Sequence, residues 1–423
     1  MRLCERPAWA ALSLHQVLEQ QNLNEMRKNM TTKSISIEET TNIEFETAQV
    51  VTIAGAHFIH DVYTAFIAPL LPLIIEKLSI SLTLAGSLTT FLQLPGLLNP
   101  FIGYMADKVS LRYFVILAPA VTATLISVMG FAPSYLTLAA LLLVTGVSVA
   151  AFHAPAPAMV AEVSKQKVGL GMSLFMAGGE LGRTLGPLLA VWAVSIWTLD
   201  GFYRIMVLGW AASGILFWRL HNISARPRKS GNLRMIIPLL RSLYLPLVFI
   251  TLFKNFMLVS LSVYLPTFLN SEGSSLLVAG GALSIFELAG VGGALLSGTL
   301  SDRFGRKLIL VISTVLATVF MLLFLNIGTW ARVPILLGLG FTALSATPVM
   351  LAIVQDHLPD NRAVGNGLFM SISFLMQLLA VLSVGAIGDH FGLRTAFTWS
   401  AILALLAVPP ILVLPGLPGK HIA

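Results

Sequence analysis

Apolar runs of about twenty residues recur along this chain, the length a helix needs to cross the hydrocarbon core of a bilayer. They fall at approximately 50–78, 83–105, 113–132, 135–160, 168–194 and 202–220, then 243–270, 276–300, 308–327, 331–354, 365–388 and 395–415. In lipid a backbone must satisfy its own N–H and C=O groups, so each run is expected to be a helix. With 56% hydrophobic and 11% charged residues, the chain carries about half the charge that a water-facing surface requires. The 34 glycines and 21 prolines fit the same class, because membrane helices tolerate both. The single cysteine, Cys4, excludes an intrachain disulfide framework and a cysteine-based metal site.

Residues 1–47 are polar and mixed in charge, with no segment apolar enough for a leader or a span. They are expected to form a cytoplasmic tail, and Met26 and Met30 are alternative starts. The longest internal polar stretch, 221–242, contains Arg226, Pro227, Arg228, Lys229, Ser230, Gly231 and Arg234 and has the composition of a linker. It separates a six-span unit at 48–220 from another at 243–416, followed by a short tail at 417–423. Of the 26 Lys and Arg, about twenty lie in the termini and the even-numbered loops. The odd-numbered loops hold Lys77, Arg204, Arg332 and Arg394. Both termini are therefore expected in the cytoplasm. The formal charge of +7 is spread over short loops, so it reads as topology, and no nucleic-acid partner is expected.

The two units repeat each other. Gly103-Tyr104-Met105-Ala106-Asp107-Lys108 after span 2 returns, about 195 positions on, as Gly298-Thr299-Leu300-Ser301-Asp302-Arg303 after span 8. A similar displacement carries Val168-Gly169-Leu170-Gly171 onto Val364-Gly365-Asn366-Gly367 and Leu71-Pro72 onto Leu265-Pro266. The expected fold is thus an all-α membrane protein of twelve helices in two pseudo-symmetric six-helix bundles.

With Arg112 closing the first copy and Gly305-Arg306 the second, these loops resemble the signature of the major facilitator superfamily. The second copy fits fully, and the first departs at Ser110 and Leu111. In physical terms the glycine allows close helix approach, and the acid can cap a helix or pair with a neighbouring base. Gly103, Asp107, Lys108 and Arg112, with Gly298, Asp302, Arg303, Gly305 and Arg306, are read either as a latch between the halves or as topology signals. In span 5, Gly182-x-x-x-Gly186-Pro187 resembles the superfamily motif associated with antiporting exporters. The alternative is plain helix packing through small residues. A closer resemblance, to the fosmidomycin-resistance branch, is carried by His57-x-x-His60-Asp61, Phe152-His153, and the run from Gly169 through Gly178-Gly179 to Leu185-Gly186-Pro187-Leu188-Leu189. That branch often has Asn where this chain has His60 and Pro where it has Ala154.

Charged groups at a helix centre cost about 2.5–3.5 kcal/mol each on insertion scales, so each calls for a partner or a role. Asp61 and His60 in span 1, Glu180 in span 5 and Glu287 in span 8 are candidate proton-coupling groups. His57, His153, Arg183, Lys254 and Asn255 are candidate substrate-binding groups. His57 and Asp61 share a helix face, and Glu180 and Arg183 can pair along theirs. The repeat register sets His60-Asp61 against Lys254-Asn255, so Asp61 is either a proton carrier or a fixed partner, for example of Lys254. Resemblance to the superfamily implies that spans 1, 4, 7 and 10 line a central cavity. Trp192, Trp197 and Trp330 read as interface anchors.

No Walker loop, His-Glu-x-x-His pattern or nucleophile elbow is present. Neither an enzyme nor an ATP-driven pump is expected, and no cofactor or metal is called for. The expectation is a monomeric carrier, energised by a proton gradient, in a plasma membrane such as the bacterial inner membrane. Its other partners are lipid, protons and a small-molecule substrate. Export of amphipathic or anionic compounds such as drugs leads, with proton-coupled uptake as the alternative and a non-transporting receptor or enzyme third.

Overall fold

The protein is described by a computed structural model, which covers residues 46–99, 101–102, 111–164, 167–222, 238–328, 331–358 and 362–416. The tail with Met26 and Met30, the first loop copy with Gly103, Asp107 and Lys108, linker residues 223–237, Trp330 and residues 417–423 lie outside the described residues.

Every expected span contains a helix. The first half comprises α1 (Thr47–Leu78), α2 (Leu82–Leu98), α3 (Arg112–Phe131), α4 (Tyr135–His153, continued by Ala156–Ser164), α5 (Val168–Trp197) and α6 (Met206–Leu220). The second comprises α7 (Leu240–Ser262, continued by Leu265–Ser271), α8 (Leu276–Phe304), α9 (Arg306–Asn326), α10 (Arg332–His357), α11 (Arg362–Phe391) and α12 (Leu393–Val413). Among the described residues, nine segments are long and apolar enough to cross a membrane. The others are α2, α6 with 15 residues, and α5, which has 30 residues but carries Glu180 and Arg183 in its middle.

Serines set several helix starts: Ser81, Ser134 and Ser275 each accept an N–H from the first turn of α2, α4 and α8. Proline sets the interruptions, since it lacks the N–H that would continue the ladder. The α-helix of α1 breaks at residues 65–66 before Pro69, α4 after His153 before Pro155, α7 at residues 263–264 before Pro266, and α10 at Ser345 before Pro348. Helices 1, 4, 7 and 10 are thus interrupted by non-helical turns, and such backbone has to be buried in protein or line a cavity rather than face lipid. Lipid-facing positions remain apolar and open, as Leu295 (73% exposed) and Trp218 (70%) show.

The halves meet at one end only. At the end carrying the odd-numbered loops, a single apolar cluster runs through both halves, from Phe66 and Leu88 to Tyr264, Phe268 and Val381. At the other end the core is split into clusters confined to one half each, around Phe152 and Val160 and around Ile102 and Leu111 in the first, and around Val349 and Phe369 in the second. Hydrogen bonds agree. Among the described residues, every side-chain hydrogen bond between halves lies at the odd-loop end. The Asp389 carboxylate on α11 accepts the N–H groups of Leu82 and Thr83 at 2.7 and 2.9 Å, and the Thr83 hydroxyl donates to it at 2.6 Å. An anion there meets the free N–H groups of the first turn of α2. Tyr264 adds its hydroxyl, 3.1 Å from the carbonyl of Leu82. Gly86 and Gly385 admit that ring, because a Cβ at either would collide with the Tyr264 hydroxyl.

The second loop copy makes its contacts within its own half in this conformation. Arg306 pairs with Asp302 at 2.6 Å and with Asp356 of α10 at 3.1 Å, and it donates to Ser301. These contacts tie α8, α9 and α10 within one half. Gly305 makes the turn between α8 and α9 at φ +98°, a conformation that glycine enters without steric cost, and Arg303 lies over the Phe304 ring. The reason is geometric: in this conformation the halves stand apart at the even-loop end. At the opposite end three of the four odd-loop cations are ion-paired, Lys77 with Asp200, and Arg332 and Arg394 with the single carboxylate of Glu272. Arg204 lies over the ring of Tyr203.

Candidate functional site in the central cavity

Small residues bring α5 against α1. A Cβ on Gly178 would strike the Ala54 carbonyl, one on Gly182 the Phe58 carbonyl, and one on Gly186 the Ala65 side chain and the Val62 carbonyl. Gly182 and Gly186 thus serve the contact between two helices of one half, and Pro187 continues it toward α8, lying next to Gly280. Gly179 leaves room for chemistry. A Cβ there would come within 2.6 Å of His57 Nε2 and 3.0 Å of Asp61 Oδ2.

That room is filled by a buried triad. His57 Nε2 lies 3.3 Å from Asp61 Oδ2, His153 Nε2 lies 3.3 Å from Asp61 Oδ1, and the two Nε2 atoms are 3.3 Å apart. Each imidazole is held from behind by its Nδ1, which sits 2.7 Å from the Phe175 carbonyl for His57 and 3.0 Å from the Val149 carbonyl for His153. A backbone carbonyl can only accept, so both Nδ1 atoms carry hydrogen, and in a neutral ring Nε2 then offers a lone pair. Without a further proton, two lone pairs and a carboxylate would face one another with no donor between them. A proton on the triad would supply that donor, and each carboxylate oxygen has its own imidazole beside it. The three donor atoms all lie within 4.8 Å of one another, close enough that a metal ion could also bridge them.

Asp61 and His153 face the cavity, whereas His57 sits behind them, 4% exposed and stacked on Phe175. His60 lies apart. It is fully buried on the Phe152 ring, with centroids 4.4 Å apart, and neither ring nitrogen has a hydrogen-bond partner.

The cavity between the halves has two lobes that share Arg183, Met370, Phe374 and Gln377. One, of about 550 Å³, is lined by Asp61, His153, Arg183 and Glu287. The other, of about 510 Å³, is lined by Glu180, Arg183, Lys254 and Asn255. Arg183 is ion-paired with Glu180 on the same helix, as the spacing suggested. The expected Asp61–Lys254 facing is not formed: Asp61 is engaged by histidines of its own half, Lys254 donates to Thr314 at 2.9 Å, and Arg183 stands between the lobes. Asn255 donates to the Ser373 carbonyl at 3.3 Å. Sequence reasoning missed the two carbonyls that fix the imidazoles. Val149 could have been found, one turn before His153, but Phe175 carries no signal. It also missed Asp389, which at the end of span 11 reads as an ordinary loop acid.

Two pseudo-symmetric helical bundles that enclose a largely apolar cavity carrying a few charged groups, closed at one end, define a membrane transporter. The chain matches the family described as Major Facilitator Superfamily over residues 53–381 and 295–421, and it belongs to that family. It is similar to the fosmidomycin resistance protein of Escherichia coli (strain K12), 28% identical over 368 residues that cover 84% of this chain and 90% of that one. Among solved structures, a bacterial homolog of the human lysosomal transporter Spinster, inward-facing and occupied, superposes with a TM-score of 0.77 at 13% identity, covering 88% of this chain and 97% of the other. A D-xylose-proton symporter gives a TM-score of 0.71 at 16% identity, covering 89% and 99%. At these identities the structural likeness speaks to the fold alone.

Proposed function

We propose that this chain is a proton-coupled exporter of small amphipathic or anionic compounds, working as a monomer in the bacterial inner membrane. Its even-loop end and both termini face the cytoplasm. The reading rests on one observation, the contact of His57 and His153 with the two carboxylate oxygens of Asp61 on the wall of a cavity between the two halves. All three residues belong to the first half, so rocking leaves the triad intact. What changes with each proton is the charge of that wall, opposite Glu287 of the second half. One unit charge at about 10 Å in an effective dielectric of about 20 is worth roughly 1.7 kcal/mol, enough to shift a two-state balance more than tenfold. His57 acts as the support that fixes Asp61, and His153 as the exposed partner through which protons arrive. Glu180 and Glu287 are the alternative carriers.

Export is favoured over uptake by similarity to a protein named for drug resistance, and the Gly182-Gly186-Pro187 motif is consistent with it. Inside-out vesicles with an acid interior provide the test, with fosmidomycin as the trial compound. Wild type should accumulate the drug and dissipate the gradient, whereas Asp61→Asn should do neither while keeping its fold. Wild-type coupling in Asp61→Asn, with loss in Glu180→Gln, would move the carrier role to Glu180. Faster drug entry into intact cells that express the gene would reverse the direction.

A further inference from the structure

The two lobes differ in charge balance, and the difference singles out Lys254. In the lobe of about 510 Å³, Arg183 is already neutralised by Glu180. Lys254 has no carboxylate within 4 Å among the described residues. Its contact is the Thr314 hydroxyl at 2.9 Å, and Thr314 passes its own hydrogen to the Leu310 carbonyl. Two of the three ammonium hydrogens are therefore unspent. One turn earlier on α7, Thr251 lines the same lobe, 3% exposed, and its hydroxyl has no hydrogen-bond partner. An uncompensated ammonium beside an unpartnered buried hydroxyl is costly at membrane depth, and an incoming anion would relieve both.

We infer that Lys254 and Thr251 form the receptor for the head group of the transported compound, an organic anion with one compact, singly charged oxyanion such as a carboxylate. The rest of the lobe suits an apolar body, since Met257, Met350, Met370 and Phe374 line it, and its volume is within the range for drug-sized ligands. Glu180 on the facing wall disfavours a second negative charge. Anion binding here is separate from the proton at Asp61, so the inference rests on the transporter reading but not on the coupling site.

The probes are 4-phenylbutyrate, its neutral amide and 4-phenylbutylamine, titrated by calorimetry into the full chain in detergent with no proton gradient. Wild type should bind the acid more tightly than the amide or the amine. Lys254→Gln should weaken the acid roughly ten- to hundred-fold, the range expected for one hydrogen bond to a charged group, and leave the amide unchanged. Lys254→Arg should stay within about threefold, and Thr251→Val should weaken the acid several-fold. Should Lys254→Gln fail to fold, as judged by its melting temperature and elution, the other two variants decide. The inference is overturned if wild type does not prefer the acid, if folded Lys254→Gln binds the acid as wild type does, or if Thr251→Val leaves the acid unaffected. Lys254-dependent binding of the acid without flux in vesicles would instead refute the transport reading and leave this site standing.

Discussion

Asp389 closes the odd-loop end, and its removal should open it. Three hydrogen bonds converge on this carboxylate, at 2.7, 2.9 and 2.6 Å, all from the start of α2 in the opposite half. A hydrogen bond to a charged acceptor contributes about 1.5–3 kcal/mol when sheltered, but Asp389 is exposed, so roughly 0.5–1 kcal/mol each is the better figure. Asp389→Ala should therefore cost the closed state about 1.5–3 kcal/mol, a ten- to hundred-fold change in the ratio of closed to open molecules. Asp389→Asn keeps one acceptor oxygen and should fall between. The chain's single cysteine is Cys4, so a Cys4→Ser background with spin labels at Glu76→Cys and Ser271→Cys can report the separation of the halves at this end. A longer distance population should appear in Asp389→Ala and be smaller in Asp389→Asn. An unaltered distribution in both variants would refute the latch, leaving the apolar cluster around Tyr264 and Phe268 as the closing element.

Three further outcomes follow from the geometry. His60 has two buried ring nitrogens without partners, so His60→Phe should raise stability by about 1–3 kcal/mol in thermal unfolding and leave proton coupling intact; loss of coupling would make His60 a carrier. Gly182→Val should overpack α5 on α1 and cost about 1–3 kcal/mol, whereas Gly179→Ala should disturb His57 and Asp61 and lower transport more than melting temperature. Arg306 bridges Asp302 and Asp356 with its side chain only 15% exposed, so Arg306→Ala should lower the melting temperature. Arg306→Lys should rescue it poorly, because an ammonium cannot copy the guanidinium fork.

Much of this architecture could be read from the chain because apolar length and loop charge are properties of single segments. Each expected span holds a helix, and the Glu180–Arg183 pair followed from their spacing along α5. His57 and Asp61 were legible for the same reason, being one turn apart. What joined His153 to them was tertiary: α4 must end at its prolines, and α5 must come close through Gly178 and Gly182, before the second imidazole reaches the carboxylate. The role of the loop motif is undecided by sequence for a related reason. Its residues were right, but whether Arg306 reaches its own half or the other depends on the conformation, which no spacing encodes. The repeat register likewise set Lys254 against Asp61, and only packing could reveal that Arg183 stands between the lobes.

The decisive experiment is a pH titration of the opening at the even-loop end, followed by spin-label distances in the unliganded protein and in Asp61→Asn. If protonation among His57, Asp61 and His153 selects which side is open, the wild-type distribution will move with acidity and that of the variant will stay fixed. Equal movement in both proteins would contradict the assignment and place the sensing group elsewhere in the cavity.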